Sequence, residues 1–340
     1  VSAPPLWQPS SETVARAKLT RFREALQAQG IVPADVTDSH ALQAWSVAHP
    51  AAFWAAVWEL ADFACDRDAE GRAFDAVVVG LERMAPPDPE HGPRWFPGAR
   101  LNAAEQLLRR RDGHPALVSW TERGRERVLG YDELAHEVAR GAHALRALGV
   151  QPGDRVAGWL PNVPEAVIAM LAAASLGAIW SSCSPDFGTE GVLDRFGQIE
   201  PVVLVVADEY RYAGRRHEVL PRLREVAARL PSLRATWVVS RGEAPASLAG
   251  VPHGAHWHDV LASARADAPS FTRLPFDHPL YILYSSGTTG LPKCIVHGAG
   301  GTLLQHVKEH VLHTDLTRDD VLFYFTTCGW MMWNWLVSGL

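Results

Sequence analysis

The residue types in this 340-residue chain that are best suited to chemistry lie together in one stretch, Tyr284-Ser285-Ser286-Gly287-Thr288-Thr289-Gly290-Leu291-Pro292-Lys293. Glycines let backbone N–H groups approach an anion closely. Serine and threonine hydroxyls donate to phosphate oxygens, and the Lys293 ammonium is a compact charge suited to the same task. The combination could hold a polyphosphate. It is not the G-x-x-x-x-G-K-[ST] loop that opens a helix, because Lys293 stands three residues after Gly290 and Cys294-Ile295-Val296 reads as a strand. On residue types alone, a plain Ser/Gly/Thr surface hairpin fits this stretch as well.

The elements that must position it can be traced upstream. A strand at 281–284 leads into the stretch. Before it, helical and strand patterns alternate: a helix over 131–148 stopped by Gly149, a Pro152-Gly153-Asp154 turn, and a strand at 155–160. A helix opened by Pro164 and ended by Gly177 comes next, then a strand at 178–183, a helix at 189–199 and a strand at 202–206. A long Arg-rich helix over 215–230 and a strand at 235–240 complete the series. Such alternation predicts βαβ units, a mostly parallel sheet with helices on both faces, and ligands at the carboxyl ends of the strands.

The first 85 residues read differently, as helices. Ser10 and Ser11 start one that runs to about residue 29 before Gly30, and residues 40–66 form a second region in which Trp54 and Trp58 share a face. Residues 86–97 hold Pro86, Pro87, Pro89, Pro93 and Pro97, and predict a stiff connector into a domain over 98–340.

Bulk composition narrows the class. Apolar residues are 47% and charged residues 21%, so a sizeable core is expected. The 32 basic and 38 acidic residues give −6, which argues against general nucleic-acid binding. Cys65, Cys183, Cys294 and Cys328 show no C-x-x-C spacing and read as reduced thiols of a cytoplasmic protein. The apolar run 166–180 is too short to span a membrane and predicts a buried helix leading into a strand. No signal peptide is visible in the first eleven residues.

Residues 284–293 closely resemble the phosphate-binding signature of the adenylate-forming superfamily of acyl-CoA synthetases, luciferases and peptide-synthetase adenylation domains. Tyr131-Asp132-Glu133-Leu134, the turn at 149–155 and Leu176-Gly177-Ala178 resemble the first subdomain of that family. Ser184-Pro185-Asp186-Phe187-Gly188 and Val296-His297-Gly298 resemble its short-chain branch. Residues 95–102, the surroundings of Cys183, and Thr326-Thr327-Cys328-Gly329-Trp330-Met331-Met332-Trp333-Asn334-Trp335 resemble the branch's acetoacetate-activating members.

The resemblance implies an AMP-forming acid–thiol ligase that uses ATP, Mg2+ and CoA, with acetoacetate as the acid. It implies that Ser285, Ser286, Gly287, Thr288, Thr289, Gly290 and Lys293 hold the ATP phosphates, with Lys293 and Thr288 acting in catalysis. It implies that Trp330, Met331, Met332 and Trp333 line the acyl pocket, and that Arg211, Arg215 and Arg216 hold CoA. Family members are about twice as long, so the expectation is that further polypeptide, in the same chain or a partner chain, completes the fold and that residues 1–340 alone do not turn over. Acetate or propionate as the acid, a non-catalytic nucleotide-binding fragment, and a phosphotransferase yielding ADP are the competing readings; the Lys293 spacing disfavours the last.

Other groupings carry less. His253, His256 and His258 have a spacing that metals can use, yet lie in a loop-like segment with Asp259 as the one acid nearby, and no metal site is assigned. His306, His310 and His313 share a helical face by spacing, and Arg109-Arg110-Arg111 reads as a solvated helix end.

Overall fold

The computed structural model describes residues 6–82, 92–242, 244–265, 268–285 and 290–340. The chain divides into two compact units, one of Val1–Phe63, Phe74–Pro97 and Thr302–Leu322, the other of Ala64–Ala73, Gly98–Gly301 and Phe323–Leu340.

The first unit is built on helices Ser11–Arg16, Lys18–Ala28, Ser39–Ala48 and Pro50–Ala61. Ser10 caps the first through a bond from Thr13 N at 3.1 Å. The single helix expected up to residue 29 is broken at Ala17, whose ψ of 136° is extended, and the second helical region is divided at His49 with Pro50 at the first helical position. Trp58 stacks on Phe96 at 4.7 Å and meets Phe63 and Phe74 edge-on at 5.3 and 5.1 Å, giving this unit an aromatic core. Pro86, Pro87 and Pro89 lie outside the described residues. Arg94–Trp95 pairs with Val78–Val79, so the described part of the proline-rich segment is laddered into the unit.

Residues 302–322, which the sequence pattern assigned with the rest of 98–340, also belong here: Asp315 accepts from Lys18 N at 2.8 Å, and Lys308 lies over the Trp54 ring. The expected face of three histidines is not formed. The helix Ala299–Val307 passes into a π-helical turn, Lys308–His313, whose wider winding breaks the i, i+7 relation. His306 and His310 are buried, whereas His313 is exposed.

The second unit contains a seven-stranded sheet. In chain order its strands are β1 (Arg155–Trp159), β2 (Ile179–Cys183), β3 (Val203–Ala207), β6 (Ala235–Val239), β7 (Gly254–His256), β8 (Pro279–Ser285) and β9 (Lys293–Gly298). A separate hairpin of β4 (Glu209–Tyr212) and β5 (Arg215–Glu218) intervenes. The order across the sheet is β7-β6-β3-β1-β2-β8-β9, and every neighbour pair is parallel except β8 with β9. Every residue of β2, β3 and β6 is buried, as expected of parallel strands covered on both faces. The chain passes from β1 to β2 on one side, then crosses back to β3 on the other, which creates a switch point at the carboxyl ends.

Helix α1 (Tyr131–Ala147) packs on α2 (Pro164–Ser175), which is buried on every side from Ala166 to Ser175, in line with the buried helix predicted for 166–180. On the other face, α3 (Thr189–Ile199) and α4 (Leu220–Ala228) place Val192, Phe196, Leu223 and Val226 in one cluster with Ala157, Leu204 and Ile282 of the sheet.

Two further expectations need correction. The Arg-rich helix begins at Leu220, and Arg215–Glu218 is a strand returning on Glu209–Tyr212. Ala213 and Gly214, with φ of +52° and +74°, make the two-residue turn that favours positive φ at both positions. Arg110 is also no simple solvated side chain: it pairs with Asp112 at 3.1 Å and lies 4.6 Å over the Tyr131 ring.

Helix α2 ends in a Schellman turn, with Ala178 N on Ala173 O and Gly177 N on Ala174 O, both at 3.0 Å. Gly177 has φ +77°, and a Cβ there would stand 2.2 Å from Leu274 Cδ1 and 3.3 Å from Pro152 Cβ. Gly177→Ala therefore combines a left-handed backbone with an overpacked contact, and is expected to cost about 2–4 kcal/mol. Urea unfolding of the two proteins measures this; equal midpoints would contradict it.

Candidate functional site

Strand β8 runs parallel to β2 and ends at Ser285, and β9 starts back at Lys293 directly opposite it. The serine and lysine that bracket the Ser/Thr/Gly turn thus face each other across the last rung of the ladder. They stand at the carboxyl end of the sheet because β9 is the one reversed strand. Gly290, with φ +98°, sits where an L side chain would be strained. Ser286, Gly287, Thr288 and Thr289 lie outside the described residues.

Below the turn, the Tyr284 hydroxyl is 3.0 Å from Ser181 Oγ of β2, which is itself 2.9 Å from the Ile282 carbonyl. Burial raises the Tyr284 pKa, so its phenol stays neutral.

The segment expected to line an acyl pocket docks on the same end of the sheet. Ser182 Oγ donates to Cys328 O at 2.6 Å, Cys328 Sγ to Pro161 O at 3.3 Å, and Trp333 Nε1 to Asn162 Oδ1 at 2.9 Å. Gly329 lies against the Cys183–Ser184 backbone, where a Cβ would come 3.4 Å from Ser184 N. Helix α5 (Met331–Val337) comes next. The four expected lining residues do not share one environment: Trp333 is fully buried, Met332 is half-buried, and Trp330 and Met331 are 65% and 46% exposed. Burial lifts the Cys183 thiol to about 12 and the Cys328 thiol higher still, so both are inert spacers.

Next to this segment, the loop Ser184-Pro185-Asp186-Phe187-Gly188 is held by Arg222, which donates to Phe187 O at 2.9 Å and Pro185 O at 3.2 Å. Trp159 Nε1 donates to Ser184 O at 3.2 Å.

The three arginines stand on the β4–β5 hairpin at the carboxyl end of β3, and β3 itself lies three strand spacings or about 14 Å from β8. Alternation divides them. Arg211 and Arg216 are a cross-strand pair on one face, and Arg215 is opposite Tyr212 on the other. Arg216 is engaged by Glu209 at 2.5 Å and Glu218 at 3.6 Å, which raises its pKa through the Glu209 hydrogen bond first. Arg215 stands with exposed Tyr212 on the face where Tyr210 and His217 stack at 4.8 Å. The hairpin root is fixed by Asp208, whose Oδ1 accepts from Arg241 N at 2.8 Å and whose pKa burial raises.

Sequence reasoning did not single out Asn162, Ser182 or Arg222. Asn162 has a local signal, a polar side chain just past the carboxyl end of a buried strand; Ser182 and Arg222 act through partners distant in sequence and leave none. Among the described residues, no group of three His, Cys, Asp or Glu side chains is arranged to hold a metal ion, and no helix is long and apolar enough to cross a membrane.

Residues 104–340 match the AMP-binding enzyme family, and residues 39–107 match a second family described as the acetyl-coenzyme A synthetase N-terminus. The chain is 48% identical to the acetoacetyl-coenzyme A synthetase of Rhizobium meliloti (strain 1021) over 99% of its own length and 49% of the relative's. It is 43% identical to the acetoacetyl-CoA synthetase of Gallus gallus over 98% of itself and 49% of that protein. Among solved structures, the acetoacetyl-CoA synthetase from Streptomyces lividans superposes with a TM-score of 0.88 at 43% identity, covering 99% of this chain and 50% of the other. The chain therefore spans about half the length of the curated relatives it matches. With the family match covering well over half of its residues and the same fold in a solved relative, this chain belongs to the AMP-binding enzyme family.

Proposed function

We propose that this chain forms the ATP-handling part of a cytoplasmic ligase that activates acetoacetate as its acyl-adenylate and passes the acyl group to CoA. The observation that carries this reading is the facing of Ser285 and Lys293 at the carboxyl end of β8, beside the docked segment around Trp333. The choice of acid is supported by 48% identity to a relative named for acetoacetate.

In the first step a carboxylate oxygen attacks the α-phosphorus of ATP, and the bond to pyrophosphate breaks. Charge gathers on the departing pyrophosphate, and positioned donors stabilise it without reorganisation. Lys293 supplies the cation, Ser285, Ser286, Thr288 and Thr289 supply hydroxyls, and Gly287 and Gly290 supply close-approaching amides. In the second step the CoA thiol attacks the acyl carbon and AMP leaves. Mg2+ is the ion expected to accompany the triphosphate, where it would add positive charge beside Lys293.

Trp333 forms the fixed floor of the acyl pocket and Met332 its adaptable wall, while Trp330 and Met331 stand towards the substrate side. For CoA, Arg215 is the phosphate ligand with Tyr212 beside it, and Arg211 is secondary. Arg216 serves as a brace of the hairpin and not as a ligand, because Glu209 and Glu218 already engage it.

Three outcomes test this in the polypeptide of the relatives' full length. Lys293→Ala lowers acetoacetate-dependent exchange of label between pyrophosphate and ATP by about 100-fold, the scale of losing one transition-state donor, and leaves acid binding within about twofold. Met332→Ala, and to a smaller degree Met331→Ala, open space beside the acyl chain and shift preference from acetoacetate towards acids one or two methylenes longer by about 10-fold, the scale that one methylene contributes in an apolar pocket. Arg215→Gln raises the KM for CoA by about 10-fold and leaves that for ATP unchanged, as expected for one charge-assisted phosphate contact. Unaltered exchange, unaltered acid preference or an unaltered KM for CoA contradicts the corresponding role.

A further inference from the structure

Helix α3 touches both legs of the Ser285/Lys293 hairpin, a contact for which the ligation chemistry by itself has no need. Its buried stripe, Val192, Phe196 and Ile199, faces the core at i, i+4 and i+7. One position earlier on the wheel are Arg195 and Gln198, three apart and therefore neighbours on the surface.

Arg195 is fixed by its own helix, donating to Gly191 O at 2.7 Å. Its guanidinium lies 4.3 Å over the Phe187 ring and 5.7 Å from the Tyr284 ring centroid. Tyr284 is the residue immediately before Ser285, and its hydroxyl is already tied to Ser181. Gln198 Nε2 donates to Asp194 O at 2.5 Å and across 94 positions to Pro292 O at 2.9 Å. Pro292 is the residue immediately before Lys293. One rigid helix therefore contacts the entering leg one residue before the serine and the leaving leg one residue before the lysine.

The stabilising element is needed because β9 is the sheet's edge strand, and its residues Lys293 to Val296 are exposed. An edge strand is held by a ladder on one side alone, so its start is the part most free to fray. A displacement of the lysine by about 1 Å is enough to weaken a positioned phosphate contact.

We propose that Arg195 and Gln198 are positioning residues, through which helix α3 clamps the two legs of the hairpin and fixes Lys293 opposite Ser285 for a polyphosphate. Neither residue touches the ligand; each acts through the residue it holds. The inference rests on the reading of this hairpin as the polyphosphate site.

The test uses the polypeptide of the relatives' full length and inorganic pyrophosphate as the probe, with affinity read by titration calorimetry and stability by thermal unfolding. Gln198 is exposed, and methionine has a similar length and helix propensity with no donor and no charge. Gln198→Met is expected to weaken pyrophosphate binding about fivefold, the loss of one net hydrogen bond, with the thermal midpoint unmoved. Lys293→Ala weakens binding more, and the double variant Q198M/K293A is no weaker than K293A, because Gln198 acts through the lysine. Arg195→Lys, which keeps the cation over the rings, retains more affinity than Arg195→Met. If K293A weakens binding while Q198M does not, or if the two losses simply add, the clamp is refuted and the polyphosphate site stands. If K293A itself leaves affinity unchanged, or the wild-type chain takes no pyrophosphate, the underlying reading falls and the clamp with it.

Discussion

Parallel strands end with their loops on one edge of a sheet, and a succeeding antiparallel strand can return from that edge without a crossover. The reversal of β9 against β8 uses this geometry to place Ser285 and Lys293 as cross-strand partners. Side chains alternate along a strand, so a slip of one residue in this pairing would turn Lys293 to the opposite face and put Cys294 in its place. The register is therefore the constraint on which the site depends. Ser181 fixes β8 against β2 through Tyr284 and Ile282, and helix α3 holds the start of β9 through Pro292.

The same edge gathers the rest of the machinery. The carboxyl ends of β1 and β2 receive the segment from Cys328 to Trp333 through bonds to Pro161, Asn162 and Ser182. The carboxyl end of β3 carries the arginine hairpin, braced by Asp208 and Glu209. On the proposed reading, the carboxylate must reach the α-phosphorus of a nucleotide and its acyl carbon must then be open to a long thiol carrier, so two ligands approach one place. A sheet edge about 14 Å from β3 to β8 can present both without either loop overlying the other. The buried thiols of Cys183 and Cys328 lie between them as packing.

Much of this was legible in the sequence where one local rule governed each element. Pro164 at a helix start, Gly177 at its end and the span of α3 were all readable because caps and hydrophobic period agreed with the final packing. The arginine hairpin was not, because its turn is Ala213-Gly214 and not the Asn-Gly or Asp-Gly pair that marks such turns. Its Tyr- and Arg-rich strands also lack an apolar alternation that would distinguish them from a helix start. The roles of Gln198 and Arg222 were hidden for another reason: each acts on a carbonyl far away in sequence, and a donor to a distant backbone oxygen has no compositional signature. The division of Trp330 to Trp333 into buried and exposed members came from the docking of Cys328 and Trp333, which no local pattern encodes.

The most direct measurement of the central claim is a crystal structure of the chain soaked with a non-hydrolysable ATP analogue. The account predicts density for the β- and γ-phosphates between Ser285 and Lys293, with the Lys293 ammonium within hydrogen-bond distance of a phosphate oxygen. A nucleotide whose tail lay elsewhere on the sheet edge, with Lys293 turned to solvent, would contradict it.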